Sequence, residues 1–189
     1  STLKINLKLA DIAKRVASAT SGRRRVELAM QALNLLSNIE ERDSVQYNTL
    51  LNVLAKASPA FIYGKMAAEW ADDILSEMKS LHDQQVRANA EWYEQKLSPD
   101  SQPEAVSGGP PLVRVKPNVR SYVTVMDAYS RVGMTAAAQR VEELLEELDD
   151  RYAVNYDVAL EPNLFVFNMV IKAWANATNS SRFGRESFG

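Results

Sequence analysis

Residues 138–148 decide the fold class; they read Ala138-Gln139-Arg140-Val141-Glu142-Glu143-Leu144-Leu145-Glu146-Glu147-Leu148. The apolar residues stand at relative positions 0, 3, 6, 7 and 10, which places them on one stripe of an α-helix. Residues 29–39 and 68–78 repeat this spacing, with small residues first and large ones last. Three copies of one amphipathic helix predict a repeat protein.

A second type of helix also occurs three times. Its copies span residues 47–55, 122–130 and 167–175. Each begins with an aromatic residue and carries a large residue seven positions later. We interpret the opening aromatics, Tyr47, Tyr122 and Phe167, as core residues that pack helix pairs together. Two helix types in alternation indicate a helix pair that is repeated and stacked, as in an α-solenoid.

The rest of the sequence contains no alternating β-branched segment bounded by hairpin turn residues. We therefore predict an all-α chain. The segment 98–117 contains several prolines and two adjacent glycines, so it is predicted to be a loop. A second, shorter break is predicted at about 151–163. The predicted helices are 3–19, 23–41, 44–57, 60–96, 119–132, 135–150 and 164–177.

Composition excludes several classes of function. The 189 residues suffice for about one domain, and 22 Lys and Arg against 24 Asp and Glu leave a net charge of −2. Cysteine is absent and His82 is the single histidine, which excludes disulfides, thiol nucleophiles and Cys-type zinc sites. Most hydrolytic triads are excluded too, and a metal site would have to be almost entirely carboxylate. His82 is predicted to be exposed and without a chemical role.

No apolar run approaches the roughly 20 residues that a membrane span requires, so we expect no membrane partner. Residues 1–8 contain no signal-peptide core. No targeting segment is visible, and we interpret the chain as a piece of a longer protein.

Four motifs in these helices resemble the pentatricopeptide repeat family, whose unit is a helix pair of about 35 residues. Residues 45–51, Val-Gln-Tyr-Asn-Thr-Leu-Leu, are similar to the opening of the family's first helix. Residues 115–119, Val-Lys-Pro-Asn-Val, and 160–164, Leu-Glu-Pro-Asn-Leu, are similar to its junction between units. Residues 130–133, Ser-Arg-Val-Gly, are similar to its inner turn. The resemblance covers about residues 22–177, although the long helix and the inserted loops depart from the family.

The resemblance implies a right-handed α-solenoid of stacked antiparallel helix pairs, with about two and a half to three repeats. The expected divisions are a degenerate N-terminal helix pair at 1–43, a repeat with an extended second helix at 44–97, a flexible loop insertion at 98–117, a repeat with an inserted loop at 118–163, and the first helix of a truncated repeat with a tail at 164–189.

The resemblance also implies sequence-selective binding of single-stranded RNA, one base per repeat, in a mitochondrion or plastid, where such proteins serve RNA processing, stability or translation. The implied reading positions are Asn48, Val123 and Asn168. The implied junction partners are Asn118 for the first of these and Asn163 for the second, while Asp43 closes an earlier unit whose reading residue the sequence does not locate. Residues that sandwich the bases would be Val45, Arg120 and Phe165.

The same rule implies that Asn48 with Asn118 reads a pyrimidine, cytidine in preference to uridine. Val123 with Asn163 offers one apolar group and should discriminate weakly. From the composition together with the family resemblance, we expect no enzyme activity, metal, cofactor or small-molecule substrate.

Several alternatives stay open at this point. Asn118 and Asn163 follow a proline and precede an apolar helix, which is also typical of helix N-caps. Residues 23–25, three arginines, indicate either a phosphate contact or a solvated charge run. The acidic residues at 142–150 are interpreted as a solvated face rather than a metal cluster.

Two other functions remain possible from the sequence alone. The first alternative is a protein–protein interaction scaffold, for example within a ribosome-associated or larger complex. The long helix at 60–96, with Trp70, Trp92 and Tyr93, would suit such a protein partner. The second is a purely structural cap of a longer array, because terminal repeats are atypical.

Overall fold

The fold is seen in a computed structural model that describes residues 2–58, 64–97 and 108–186. Within these residues the chain forms seven α-helices and one 3-10 helix, with no β-strand. Their bounds are α1 (Thr2–Ser18), α2 (Gly22–Ser37), α3 (Ser44–Ala57), α4 (Gly64–Leu97), α5 (Val119–Ser130), α6 (Thr135–Asn155), the 3-10 helix Val158–Leu160, and α7 (Leu164–Glu186). The prediction of an all-α chain is confirmed in this described part.

The helices form three consecutive pairs followed by α7. The odd-numbered helices α1, α3, α5 and α7 contact one another in chain order, and each of α3, α5 and α7 also packs against the even-numbered helix before it. Every helix therefore contacts its neighbours along the chain, and the pairs lie side by side. None of the helices in the described part of the chain combines the length and hydropathy that a membrane span requires.

One continuous apolar core runs through the three pairs. Leu50, Leu51 and Leu54 on α3 are fully buried, and so are Val125 and Met126 on α5. Removing an aliphatic side chain of this size from water is worth about 1.5–3 kcal/mol. The apolar stripes recognised in the sequence supply this core from α2, α4 and α6, with small residues where the helices approach closely.

The small residue at the start of α4 has a steric reason. A side chain at Gly64 would place its Cβ 2.1 Å from the carbonyl oxygen of Ser58, so only glycine allows α4 to begin against the end of α3. From Gly64 the helix continues for 34 residues to Leu97. The predicted helix 60–96 is thus one continuous helix from residue 64 onward, while residues 60–63 lie outside the described residues.

Three predicted helix ends were wrong by four residues or more. The second helix ends at Ser37 instead of 41, because the side chains of Ser37 and Asn38 bond the carbonyl oxygen of Asn34 and compete with the helical ladder. The sixth continues five residues into the predicted break and ends at Asn155; within this extension Arg151 bonds both carboxylate oxygens of Asp83, at 3.2 and 2.6 Å. The seventh runs beyond residue 177 to 186.

The predicted loop 98–117 is described from residue 108 onward, and this part lies along α4; residues 98–107 lie outside the described residues. The Gln85 side chain accepts hydrogen bonds from the backbone N–H groups of Arg114 and Val115, at 2.9 and 3.0 Å. His82 Nδ1 donates to the Val115 carbonyl oxygen at 2.7 Å. His82 is half-buried, so the prediction that it is exposed was wrong.

Buried tyrosines join the two helices of a pair. Tyr47 and Tyr122 are fully buried, and their hydroxyls donate to Glu77 at 2.8 Å and to Glu147 at 3.4 Å. Burial, reinforced by the Glu77 carboxylate, raises the pKa of Tyr47 to about 12. Burial likewise raises the pKa of Tyr122. The core role predicted for these two aromatics is confirmed, whereas Phe167 is 48% exposed and its predicted core role was wrong.

The raised tyrosine pKa predicts a loss of stability at alkaline pH. Below about pH 10 the phenol is neutral in both folded and unfolded chains, whereas between about pH 10 and 12 only the unfolded chain releases the proton. The free energy of unfolding should therefore fall as pH rises through this window, and Tyr47→Phe should make the fall shallower. Urea unfolding across the window measures this effect, with Tyr156→Phe at an 81% exposed position as the matched control. Equal slopes for wild type and Tyr47→Phe would contradict the prediction.

Candidate nucleic-acid interface

The junction residues begin helices. Asp43 accepts a hydrogen bond from the Gln46 backbone N–H at 2.9 Å, and the Gln46 side chain accepts from the Asp43 N–H at 3.1 Å. Asn118 and Ser121 exchange the equivalent pair, at 3.1 and 3.2 Å. These are reciprocal capping boxes that satisfy the first donors of α3 and α5. Asn163 accepts from the Phe165 N–H at 3.0 Å, so all three junction residues have a capping role.

One side chain connects Asn48 to Asn118, although they are 70 residues apart in sequence. The Ser121 hydroxyl lies 2.8 Å from Asn48 Oδ1 and 3.3 Å from Asn118 Oδ1. Asn118 Oδ1 also accepts the capping bond, so both amide oxygens are engaged within the protein. In the described residues neither Asn48 nor Asn118 donates through Nδ2, and both NH₂ groups remain available as donors.

Asn6 was not among the predicted site residues. It occupies the position in the first helix pair that corresponds to Asn48. Gln46 Nε2 donates to Asn6 Oδ1 at 3.2 Å. Gln46 and Ser121 are each the third residue of their helix, so the same position of the following odd-numbered helix bonds an asparagine in both cases. The sequence does contain a pattern that could have identified Asn6. Residues 5–9, Ile-Asn-Leu-Lys-Leu, align with 47–51, Tyr-Asn-Thr-Leu-Leu, but the aromatic residue is missing.

In the third pair the two corresponding positions are both apolar. Val123 occupies the predicted reading position of α5 and is half-buried against the core. Val166 is the third residue of α7 and is fully buried. An apolar residue thus replaces a polar one at both positions, so no hydrogen bond orients a side chain at this site.

A cleft of about 630 Å³ lies where α5 and α7 begin. Five of the nine predicted site residues line it: Asn118, Arg120, Val123, Asn163 and Phe165. Phe165 is 69% exposed, and Arg120 is exposed and makes no ion pair within the part of the chain that the structure describes. The cleft therefore combines an aromatic ring, a free guanidinium group and two amide side chains.

The other four predicted residues lie outside this cleft. Asp43, Val45 and Asn48 belong to the start of α3, one helix pair earlier, and the Val45 side chain is 63% exposed. Asn168 is exposed on α7. No residue in the described chain stands in the junction position that would pair with Asn168.

Most cations near these residues are neutralised internally. Lys172 Nζ lies 2.6 Å from Asp127 Oδ1, and Arg131 contacts the other oxygen. Burial alone would raise the pKa of Asp127, but hydrogen bonds from these two cations lower it overall. Lys116 lies 3.0 Å from Asp157 and lowers the pKa of that carboxyl group. Among the described residues, Arg120 is therefore a cation at the cleft that no internal carboxylate neutralises.

The arginine run at residues 23–25 is also engaged. Arg23 and Arg24 both bond Glu27 at 3.2 Å. Arg25 donates to the carbonyl oxygen of Ala19 at 2.9 Å. Of the acidic residues at 142–150, all but Glu147 are exposed. In the described residues no cluster of histidine and carboxylate side chains is arranged to hold a metal ion.

Comparisons with known proteins give no relative. No protein-family model, no curated protein and no solved structure matches the chain.

Proposed function

We propose that this chain binds single-stranded RNA as a right-handed α-solenoid of the pentatricopeptide type and reads bases along its odd-numbered helices. The observation that carries the proposal is the repeated hydrogen bond from the third residue of one helix to an asparagine of the preceding pair, Gln46 to Asn6 and Ser121 to Asn48. It orients an amide at the same position of two successive pairs. Pre-orientation lowers the entropic cost of binding a base.

The free donors and acceptors define the base that each position should accept. At Asn48 and Asn118 both oxygens are engaged, so the two amides present only N–H donors. Such a pair favours a base edge with two adjacent acceptors, and O2 with N3 of cytosine is such an edge. At Asn6 and Asp43 the second carboxylate oxygen of Asp43 adds an acceptor beside the Asn6 amide. That position should require a base edge with a donor next to an acceptor.

The cleft at the third pair suits a base that is stacked but not read. Phe165 and Arg120 offer planar surfaces for stacking, while Val123 provides no hydrogen-bonding group. In this proposal the chain is a binding protein and not an enzyme. It serves RNA processing, stability or translation in a mitochondrion or plastid, as the resemblance implies.

The test is fluorescence anisotropy of the 189-residue chain with oligo-C, oligo-U and oligo-A RNA and with oligo-C DNA at low salt. Asn48→Ala should weaken oligo-C RNA binding about fivefold, in line with the loss of one hydrogen bond, and should remove the preference over oligo-U. Asn118→Asp replaces a donor with an acceptor and should shift the preference away from oligo-C. Asn34→Ala, at an exposed position of α2, is the matched control. An RNA affinity that is the same for all bases and unchanged in both variants would overturn the proposal.

A specific surface favours a protein-interaction scaffold as the second candidate function. After Lys79 no residue of α4 is fully buried, and its distal half carries a T-shaped pair of Trp92 and Tyr93 rings, 5.1 Å apart. Leu112 and Val113, on the segment that lies along α4, are 69% and 40% exposed. A pull-down that retains a protein after nuclease treatment and loses it with Tyr93→Ala would favour this function.

A further inference from the structure

One face of α7 is apolar and uncovered, in contrast to the same face of α3 and α5. Tyr47 on α3 is covered by α4, and Tyr122 on α5 is covered by α6, as their hydroxyl bonds to Glu77 and Glu147 show. The matching residue of α7 is Phe167, which is 48% exposed. Leu164 and Ile171, one turn to either side on the same face, are 73% and 67% exposed. In the described part of the chain no helix stands where α4 and α6 stand in the preceding pairs.

The even-numbered helices are joined in parallel by ion pairs in a constant register. Asp72 of α4 bonds Arg140 of α6 at 2.6 and 2.9 Å. The Lys79–Glu147 and Asp83–Arg151 pairs follow along the same two helices. The two partners are 68 residues apart in sequence in every pair. A constant separation requires that α4 and α6 run in the same direction.

The same register identifies the residues of α6 that face away from α4. Asp72 and Lys79 stand four and eleven residues after Ala68, the first residue of the apolar stripe. Four and eleven residues after the corresponding Ala138 stand Glu142 and Asp149. Both are exposed, and neither makes an ion pair within the described residues. By this register, two carboxylates seven residues apart stand on the side of α6 where the next helix of the series would lie.

We propose that this end of the molecule binds an amphipathic α-helix of a protein partner, antiparallel to α7 and parallel to α6. The partner helix carries an apolar stripe for Leu164, Phe167 and Ile171, and two cations seven residues apart for Glu142 and Asp149. The direction follows from the preceding pair, since the four residues between α5 and α6 make those helices antiparallel. The site is distinct from the base-reading positions and does not depend on RNA.

The chain's own α6 provides the probe. In its contact with α4, α6 presents Arg140 to Asp72 and Glu147 to Lys79. A second copy of α6 in the next position would present Arg140 to Glu142, which is favourable, and Glu147 to Asp149, which is repulsive. The probe is therefore a labelled peptide of residues 135–155 with Glu147→Lys, compared with the unmodified peptide.

The experiment measures fluorescence anisotropy of both peptides with the 189-residue chain. We expect the Glu147→Lys peptide to bind at least about fivefold more tightly than the unmodified one. Asp149→Lys in the protein should reverse this order, and Ile171→Glu should weaken both peptides by about tenfold or more. Leu97→Glu, at a 78% exposed position on the far end of α4, should change neither. Circular dichroism of Ile171→Glu checks that this exposed substitution leaves the fold intact.

Three results would overturn the proposal. The first is that neither peptide binds. The second is that Ile171→Glu leaves the affinity of both peptides unchanged, or that Asp149→Lys leaves the order of the two peptide affinities unchanged. The third is a concentration-dependent dimer of the protein that Ile171→Glu abolishes, because a second copy of the chain would then cover this face.

Discussion

Replacing Glu147 with alanine should lower the free energy of unfolding by about 2–4 kcal/mol. The Lys79 side chain is 11% exposed and its ammonium group bonds the Glu147 carboxylate. The same carboxylate accepts from the Tyr122 hydroxyl at 3.4 Å. Removing it leaves a buried cation without a counter-ion and a buried hydroxyl without an acceptor. Because the Glu147 side chain is itself 31% exposed, we expect a value below that of a fully buried pair.

Urea unfolding followed by circular dichroism measures this loss, and a double substitution separates its cause. Lys79→Met with Glu147→Leu removes both charges and fills the space, so it should cost less than about 1.5 kcal/mol. Glu146→Ala is the matched control, because it removes an exposed carboxylate from the same turn and should stay within about 0.5 kcal/mol of wild type. If Glu147→Ala were as harmless as Glu146→Ala, the pair would not hold α4 and α6 together.

Phe165→Ala should weaken RNA binding by about 1–3 kcal/mol, which is about five- to 150-fold in the dissociation constant. The reason is that the ring is 69% exposed at a cleft it shares with Arg120, so a base can lie against it. The loss should be similar for all bases, since stacking does not depend on a hydrogen-bonding pattern. The free energy of unfolding should stay nearly unchanged, because little apolar area is buried at this position.

The neighbouring residue provides the control for this prediction. Leu164 is 73% exposed and does not line the cleft, so Leu164→Ala should leave RNA affinity unchanged. Arg120→Ala should reduce the slope of log affinity against log salt by about 0.7, the value for one phosphate contact on a single strand. An equal loss with Phe165→Ala and Leu164→Ala would mean that α7 as a whole, and not the ring, determines affinity.

Helices and their first residues were predictable because their signals are local. Asn118 and Asn163 mark helix starts in the sequence, and both make the capping bonds that such positions favour. The apolar stripes also predicted which side of α2, α4 and α6 is buried, since a helical period needs only a short window of sequence.

Features that depend on neighbouring helices were not predictable. The Asp72–Arg140 pair joins residues 68 positions apart, and no local pattern fixes that register. Phe167 has the spacing of a core residue, but burial also requires a covering helix, and none is present in the described part. His82 lies on a polar helix, yet a segment more than thirty residues later bonds it.

The candidate base-reading residues show the same difference between local signals and contacts with neighbouring helices. The resemblance singled out Asn48 and Asn118, and the structure places one hydroxyl between them. Ser121 itself went unnoticed, because a small polar residue near a helix start has many ordinary reasons to be there. Asn6 was missed because the aromatic residue that marks the other copies is an isoleucine in α1.

The bond from the third helix residue to the preceding asparagine has a consequence for redesign. Each amide is held by a residue that belongs to the next helix pair, so the two positions must be substituted together. Val123→Asn alone would leave the new amide without a donor to orient it, because Val166, the third residue of α7, is apolar and buried. Under the proposed base-reading function, a third polar reading position would need Val123→Asn together with Val166→Ser, and libraries that vary one position at a time would overlook this pair.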